Sequence, residues 1–245
     1  VASKTESSAE QFAQKHNASV FYDDYLKLVE DPNVDVVYIA TPHAFHKEHT
    51  LLCLSKGKPV LCEKPLAHKL ENVKQMLQAS KKSNTFLMEA MWTRFLPPIN
   101  KTLELIHGGH IGQLTSIEAD FGFNSPFNEN GRLYDMSLGG GSLMDVGVYP
   151  LFLALTILGR PKDIHASAVL SSTGADISCD IELVYNTAKA FLKSSIVEDT
   201  KKEAIIIGTE GQIRFHSPWY HPTSILLEKK DGSKQEFDFG YKGNG

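Results

Sequence analysis

Two residues far apart in the sequence, Lys64 and Tyr149, have the chemistry of a proton-transfer pair. Lys64 lies in Cys62-Glu63-Lys64-Pro65, directly after a short apolar run, and Tyr149 follows Asp145 by four positions. On a helix that spacing puts a carboxylate and a phenol on one face, where they can relay a proton. A phenol titrates near ~10, and a neighbouring ammonium would lower that pKa. The pattern makes Tyr149 a candidate proton-transfer group, with Asp145 as its companion and Lys64 as the neighbouring cation. Taken alone, Tyr149 also fits an ordinary core residue of an amphipathic helix, and Asp145 a charge on the helix surface.

The segment Ala40–His46 predicts a ligand contact at the end of another strand. It closes the apolar run Val34–Ala40 and opens a helix, where the Thr41 hydroxyl and peptide N–H groups can meet a ribose or phosphate oxygen. Taken alone, this segment also fits a plain helix N-terminus with two surface histidines. Glu63-Lys64-Pro65 alone also fits a solvated loop with an ion pair, in which the X–Pro bond tolerates the cis form. Both motifs in one chain favour ligand binding.

Two further segments carry residues suited to a site. Trp92 and Arg94 follow the last strand of the first half, and a guanidinium suits phosphate or carbonyl recognition. The alternative for Trp92 and its neighbour Phe95 is packing at a domain junction. Gly139-Gly140-Gly141 precedes the Tyr149 helix and permits close approach of the backbone.

The elements that must position these residues fall into two halves. Residues 1–90 alternate between helix and strand patterns, which predicts βαβ units and a parallel sheet with strands buried on both faces. From Met91 the pattern changes to helices over 99–107 and 142–158 followed by several alternating strands. We predict a Rossmann-type α/β dinucleotide-binding domain over 1–90. Residues 91–245 are predicted to form an α+β domain with a large, mostly antiparallel open sheet.

Composition narrows the function classes. The 245 residues carry 25 Lys and Arg against 29 Asp and Glu, a net charge of -4, so no basic field favours nucleic acid. No apolar run approaches the ~20 residues that span a bilayer. Cys53, Cys62 and Cys179 are irregularly spaced, which favours reduced, mostly buried thiols in a cytoplasmic protein. No spacing typical of a metal site is present, so no metal is expected.

In this order and spacing, the segments resemble the Gfo/Idh/MocA oxidoreductase family. Within it they are most similar to the dimeric trans-dihydrodiol dehydrogenases that also act as NADP-linked D-xylose dehydrogenases. The likeness runs from Val1 to about Phe239. Its specific stretches are Phe86–Phe95 and Gly140–Tyr149.

The resemblance implies roles for single residues. Tyr149 resembles the general acid/base at the reacting hydroxyl, Asp145 its companion, and Lys64 the residue that orients the substrate and tunes the tyrosine. Ser3 and Lys4 resemble residues that meet an adenosine 2′-phosphate, which favours NADP over NAD. The remaining residues expected to bind cofactor or line its site are Thr41, Pro42, His46, Glu63, Lys64, Pro65, Trp92 and Arg94.

The resemblance implies hydride transfer between a nicotinamide and a hydroxyl-bearing carbon of a trans-dihydrodiol or an aldose. It also implies a homodimer formed through the open sheet. The family's first strand and Gly-rich turn would precede Val1, and a closing segment would follow Gly245, so we expect the sequence to be incomplete at both ends. The alternatives are a non-catalytic NADP or sugar sensor of the same fold, or an NAD-dependent inositol or sugar dehydrogenase.

Overall fold

The chain forms two compact units, Val1–Ala90 and the segment from Met91 onward. The computed structural model describes residues 1–240, so residues 241–245 of the second predicted domain lie outside the described residues. The N-terminal unit is a layered α/β structure and the C-terminal unit is built on one large sheet.

The N-terminal unit contains a three-stranded parallel sheet in the order β1-β2-β3. Its strands are β1 (Val37–Ile39), β2 (Val60–Glu63) and β3 (Leu87–Ala90). Its helices are α1 (Glu6–His16), α2 (Tyr25–Glu30), α3 (His46–Ser55, after a 3-10 turn at His43–Phe45) and α4 (Leu70–Ser83). Helices between parallel strands confirm the predicted Rossmann-type arrangement.

Local sequence signals start and stop these helices. The Thr5 hydroxyl accepts from the amide of Ser8 at the beginning of α1, and the Asp24 carboxylate accepts from the amide of Leu26 at the beginning of α2. Such side chains satisfy amide groups that lack a partner in the first turn. Asn84 ends α4 with a φ of 49°, a left-handed conformation that asparagine tolerates.

The prediction of a long strand over 34–40, buried on both faces, is wrong. Only Val37–Ile39 forms β1, and Tyr38 is 56% exposed whereas Ile39 is buried. The face of β1 that carries Tyr38 is open, and the face that carries Ile39 is covered. The core of the unit comes from the opposite face and from α2 and α3: Val29, Ile39, Cys53, Leu54, Val60 and Cys62.

The C-terminal unit contains an eight-stranded sheet in the order β11-β10-β9-β8-β4-β7-β6-β5. The strands are β4 (Leu114–Gly122), β5 (Asp163–Leu170), β6 (Asp176–Val184), β7 (Lys189–Ser195), β8 (Ala204–Gly208), β9 (Gly211–Phe215), β10 (Ser224–Lys229) and β11 (Lys234–Asp238). Neighbours are antiparallel except β4 and β7, which are parallel. A large, mostly antiparallel sheet is therefore confirmed.

Two helices, α5 (Pro97–His107) and α6 (Val148–Leu158), pack on one face of this sheet through its hydrophobic core. The strands alternate accordingly: in β7, Leu192 is buried and Phe191 is 46% exposed. The helix predicted over 142–158 differs at its beginning, because Leu143–Gly147 is π-helical. Gly147 lets this π-helical segment lie close to β7, because a Cβ at residue 147 would be only 3.0 Å from the Ser194 hydroxyl.

Cys53, Cys62 and Cys179 are free and buried. Burial raises the pKa of the Cys53 and Cys179 thiols to about 11 and that of Cys62 to about 12. Within residues 1–240, no helix has the length and apolar character needed to cross a bilayer.

Candidate active site

The residues expected from the sequence to form a site divide between the two units. The N-terminal unit holds Ser3, Lys4, Thr41, Pro42, His46, Glu63, Lys64 and Pro65, and the C-terminal unit holds Trp92, Arg94, Asp145 and Tyr149. Within each unit, most of these residues come together.

His46 ties together the segments that follow β1 and β2. Its ring is fully buried at the beginning of α3, with Nδ1 2.8 Å from the carbonyl oxygen of Pro65 and Nε2 2.8 Å from that of Thr41. A neutral imidazole donates to one of these oxygens and an imidazolium to both. The peptide bond between Lys64 and Pro65 is cis, as the sequence allows. His46 thus fixes the backbone on either side of the predicted ligand site.

A second histidine supports the same turn. The Thr41 hydroxyl lies 3.0 Å from Nδ1 of His49, which is on α3 and nearly buried. Burial lowers the pKa of His49 below its ordinary value of 6.5 and outweighs the opposing effect of the Glu48 carboxylate. The neutral form of His49 is therefore favoured beside Thr41.

Glu63 has protein partners of its own. The Tyr38 hydroxyl donates to one carboxylate oxygen of Glu63, and the amide of Lys64 donates to the other at 3.1 Å. Nearby, Glu89 at the end of β3 accepts from the amide of Leu66 at 2.7 Å. The fold itself therefore holds the Glu63 carboxylate.

Ser3 and Lys4 lie at the end of an extended segment at the beginning of the chain. The amide of Ser3 donates to the carbonyl of Tyr22 at 3.1 Å, and Ala2 and Tyr22 form a parallel bridge. The Lys4 ammonium lies 4.1 Å from the ring centre of Phe45, in the 3-10 turn after β1. Lys4 is therefore close to the turn that carries Thr41 and His46.

This arrangement fits a dinucleotide. A hydroxyl, a carboxylate and an ammonium stand at the carboxyl ends of adjacent parallel strands, which is where α/β sheets bind such ligands. Lys4 is exposed, so its charge is available to a phosphate. When bound, a nicotinamide dinucleotide would supply or accept the hydride.

In the C-terminal unit, Tyr149 lies in the first turn of α6 and is 6% exposed. Its hydroxyl oxygen accepts from Nε1 of Trp92 at 3.0 Å. Because the indole donates to it, a lone pair of this oxygen is engaged while its proton is directed elsewhere. The two residues are 57 positions apart, so only the fold brings them together.

Aromatic rings surround the Tyr149 side chain. Phe121 and Tyr220 stack on each other with centroids 3.9 Å apart and planes at 4°, and their centroids lie 5.4 Å and 5.9 Å from that of Tyr149. His221 packs on the indole of Trp92 at 5.4 Å. The phenol therefore stands in a largely apolar, aromatic setting.

Asp145 lies in the π-helical segment and forms an ion pair. Its Oδ1 accepts from Nη1 of Arg132 at 2.8 Å, and its own side chain is 9% exposed. Because the residues from Leu143 to Gly147 are π-helical, the turn geometry between Asp145 and Tyr149 differs from that of the α-helix expected from their spacing. Such π-helical turns are frequent at functional sites.

Arg94 has a structural partner among the described residues. It is exposed, in the 3-10 turn Trp92–Phe95, and its Nη1 donates to the side chain of Asn100 at 3.2 Å. Its expected contact with a cofactor stays a prediction.

Sequence reasoning missed several residues of both groups. No local signal marks Arg132 in its Asn- and Gly-containing loop, nor Phe121 near the end of β4. The Tyr220-His221 pair follows Trp219 in a loop, and such an aromatic cluster outside regular structure is a usable signal. The missed residues are Tyr38, Glu89, Phe121, Arg132, Tyr220 and His221.

Comparison with known proteins places the two units in one family. Residues 1–91 match the profile of an oxidoreductase family with an NAD-binding Rossmann fold, Gfo/Idh/MocA, and residues 99–214 match the Gfo/Idh/MocA C-terminal domain. A trans-1,2-dihydrobenzene-1,2-diol dehydrogenase of Danio rerio is 38% identical over 230 residues, covering 93% of this chain and 68% of the relative. The chain belongs to the Gfo/Idh/MocA oxidoreductase family.

Solved structures agree on the fold. An aldose-aldose oxidoreductase from Caulobacter crescentus, complexed with glycerol, matches with a TM-score of 0.87 at 21% identity, covering 99% of this chain and 76% of that one. A levoglucosan dehydrogenase in complex with NADH and levoglucosan matches with a TM-score of 0.86 at 21% identity, over 97% and 70% of the two chains. The predicted family and fold are confirmed, and this member is an NAD(P)-dependent oxidoreductase.

Proposed function

We propose that this protein is an NADP-dependent dehydrogenase that oxidises a hydroxyl-bearing carbon of a trans-dihydrodiol or of an aldose such as D-xylose. The observation that carries the proposal is the Tyr149 hydroxyl, held by the indole of Trp92 within a group of aromatic rings. Flat aromatic surfaces suit ring-shaped substrates, whose apolar faces pack on them while hydroxyl groups meet the phenol. The dihydrodiol dehydrogenase from Danio rerio, at 38% identity, supports the same substrate class.

Three side chains of this chain handle the proton in the proposed reaction. Tyr149 takes the proton from the substrate hydroxyl as the carbon is oxidised. The Lys64 ammonium stabilises the negative charge that develops on the substrate oxygen. Asp145, oriented by Arg132, holds a second hydroxyl of the substrate and takes part in proton transfer.

The preference for NADP rests on the residues after the first extended segment. Ser3 and Lys4 offer a hydroxyl and an ammonium at the position where NAD-binding folds of this type carry an acidic residue for the ribose. A cation there favours a 2′-phosphate, and Lys4 lies beside the turn that carries Thr41. The proposed cofactor contacts are completed by Thr41, Pro42, Glu63, Pro65, Trp92 and Arg94. His46, which the sequence placed among them, is fully buried and supports them through the backbone of Thr41 and Pro65.

The open face of the eight-stranded sheet supports the proposed homodimer. It carries a shallow concavity of about 630 Å³ whose lining includes Ile181, Phe191 and Ile205 among charged residues such as Glu182 and Lys193. Apolar patches rimmed by charge are typical of subunit interfaces. The free, buried cysteines agree with a reducing compartment, and we propose the cytoplasm.

One assay tests the proposal directly. The purified protein is incubated with NADP or NAD and a panel of trans-cyclohexanediols, trans-dihydrodiols, D-xylose, D-glucose and inositol, and the absorbance of the reduced nicotinamide is followed. We expect turnover with NADP and a trans-diol or D-xylose, with a higher kcat/KM for NADP than for NAD. Turnover with NAD and inositol alone would replace the proposal by an NAD-dependent polyol dehydrogenase.

A matched pair of variants checks the basis of the cofactor preference. Lys4→Ala removes the proposed phosphate contact, whereas Lys15→Ala removes a similar exposed lysine at the other end of α1. Lys4→Ala is expected to raise KM for NADP and leave KM for NAD unchanged, and Lys15→Ala to change neither. Thermal stabilisation by NADP without turnover on any substrate would indicate a sensor instead of an enzyme.

A further inference from the structure

The helix that carries Asp145 and Tyr149 begins against a carboxylate from a distant strand. Asp176, the first residue of β6, accepts through Oδ2 from the hydroxyl of Ser142 at 2.8 Å and from the amide of Leu143 at 2.7 Å. The thiol of Cys179 donates to the same oxygen at 3.3 Å, and the Ser142 hydroxyl also lies 3.0 Å from that of Ser194. Asp176 thus takes the place of a local cap at a helix that has none.

Physical chemistry explains why a carboxylate stands there. The first amide groups of a helix have no partner within it and carry the positive end of the helix dipole, so a carboxylate stabilises them. The Asp176 carboxylate lies close to the backbone of residue 141, because a Cβ there would be 2.2 Å from Oδ1 of Asp176. Gly141, with a φ of 129°, leaves the space that the carboxylate occupies.

The turn that precedes Asp176 also holds the loop that carries Arg132. In this turn between β5 and β6, the hydroxyl of Thr173 donates to the carbonyl of Tyr134 at 2.6 Å. The amide of Gly141 donates to the carbonyl of Leu133 at 2.9 Å, which ties the same loop to the beginning of the helix. One turn of the sheet therefore orients both partners of the Arg132–Asp145 ion pair.

We propose that Asp176 is a positioning residue for the reaction, setting the place of Asp145 and, through the first turns of the helix, of Tyr149. It acts through the helix and does not touch the substrate. This inference rests on the proposed function for its kinetic part only, because the placement of the helix is measurable without turnover.

The test compares Asp176→Ala, Asp176→Asn and Asp180→Ala. Asp180 is an exposed carboxylate on the same strand, so Asp180→Ala is the matched control. Asp176→Ala is expected to lower kcat by about 10- to 100-fold, because small displacements of reacting groups have effects of this size. Asp176→Asn keeps an acceptor oxygen and is expected to recover most of kcat, and the dissociation constant for NADP should not change in any variant.

Hydrogen exchange supplies a readout that needs no substrate. In Asp176→Ala, amides between Leu143 and Val148 should exchange at least 10-fold faster than in Asp180→Ala, while those of β7 keep their protection. If the wild type shows no turnover, the proposed function fails and this measurement alone decides the positioning role. Should Asp176→Ala fold poorly, Ser142→Ala gives the same comparison, with an intermediate loss because the Leu143 bond remains.

Wild-type kcat in a folded Asp176→Ala protein, with unchanged exchange at the beginning of the helix, would overturn the proposal. A lower melting temperature with unchanged kcat would also overturn it, since Asp176 would then stabilise the unit without placing the reacting groups. Failure of Asp176→Asn to recover activity would contradict the assigned role of the acceptor oxygen.

Discussion

The two units hold their site residues by different means. In the N-terminal unit, Thr41, Glu63 and Lys64 stand where β1 and β2 end, and nearby backbone atoms, bridged by His46, fix them. In the C-terminal unit, Tyr149 and Asp145 lie on a helix whose placement depends on partners from elsewhere, Trp92 and Arg132. The carboxyl ends of neighbouring strands come together as soon as a parallel sheet forms. A helix that packs on an open sheet needs specific contacts to fix its rotation about its own axis and its position on the sheet.

This difference suggests that the two units have different roles. The N-terminal unit offers polar groups and charges arranged for a nucleotide, and the C-terminal unit offers a phenol in an aromatic setting. Substitutions in the N-terminal unit, apart from Lys64, are therefore expected to change cofactor binding, and substitutions of Tyr149 and Asp145 in the C-terminal unit to change turnover. Four predictions test this separation, beginning with the largest expected effect.

Tyr149→Phe is expected to lower kcat by about 10²- to 10⁴-fold, the usual contribution of a general acid/base group. The dissociation constant for NADP, measured by fluorescence titration, should stay within twofold of the wild-type value. Tyr185→Phe is the control, because that phenol lies in the same unit and donates to the carbonyl of Gly159. A Tyr149→Phe enzyme that reduces NADP at the wild-type rate would remove Tyr149 from the mechanism.

Lys64→Met is expected to lower kcat/KM for the diol by about 10²-fold, the loss typical of one electrostatic donor. If Lys64 and Tyr149 act on the same proton transfer, the double variant should be no slower than about the Tyr149→Phe enzyme, because groups that act as a unit are not additive. Steady-state kinetics of the four enzymes gives the answer. Multiplicative losses would show that the two residues serve separate steps.

His46→Leu removes the ring whose two nitrogens face the carbonyls of Thr41 and Pro65. We expect a loss of about 1–3 kcal/mol in the free energy of unfolding for each carbonyl that stays buried and unpaired, and weaker NADP binding. Hydrogen exchange of the α3 amides reports the stability of the N-terminal unit. Tryptophan fluorescence reports the stability of the C-terminal unit, because both tryptophans, Trp92 and Trp219, lie in that unit. His16→Leu, on exposed α1, is the control. An equal change in both units would contradict a local role.

The smallest effect concerns pH. Burial lowers the pKa of His49 and of His68 below 6.5, so the unfolded chain binds more protons than the folded one below that pH. The stability contributed by the neutral rings is complete above pH 6.5 and is lost as the pH falls through the lowered folded-state pKa values. Melting temperatures measured from pH 7.5 to 5 should fall.

The matching variants sharpen this prediction. His49→Gln combined with His68→Gln should flatten the pH dependence below 6.5, and His165→Gln, at an exposed position of β5, should not. If the double variant keeps the wild-type slope, other groups cause the loss of stability in acid.

Much of the fold follows from local patterns in the sequence. The alternation of short apolar runs with helix caps such as Thr5 and Asp24 predicts a parallel sheet, and alternating residues after Met91 predict an open sheet. Tyr38 shows where this reasoning fails, because an apolar run does not reveal which face of a strand stays exposed. Likewise, no pattern indicates that β4 runs parallel to β7.

The sequence by itself determined which residue types stand at the strand ends, and so the N-terminal site and the family. Only the tertiary structure decided what surrounds Tyr149 and Asp145. Trp92 lies 57 positions from Tyr149, Arg132 lies 13 from Asp145, and Asp176 lies 33 from Leu143 at the beginning of the helix. The positions of the strand ends follow from the hydrogen bonding between neighbouring strands and from the connection rules of parallel sheets. The position of α6 and of the π-helical segment before it depends on contacts with residues distant in the sequence, which local periodicity does not indicate.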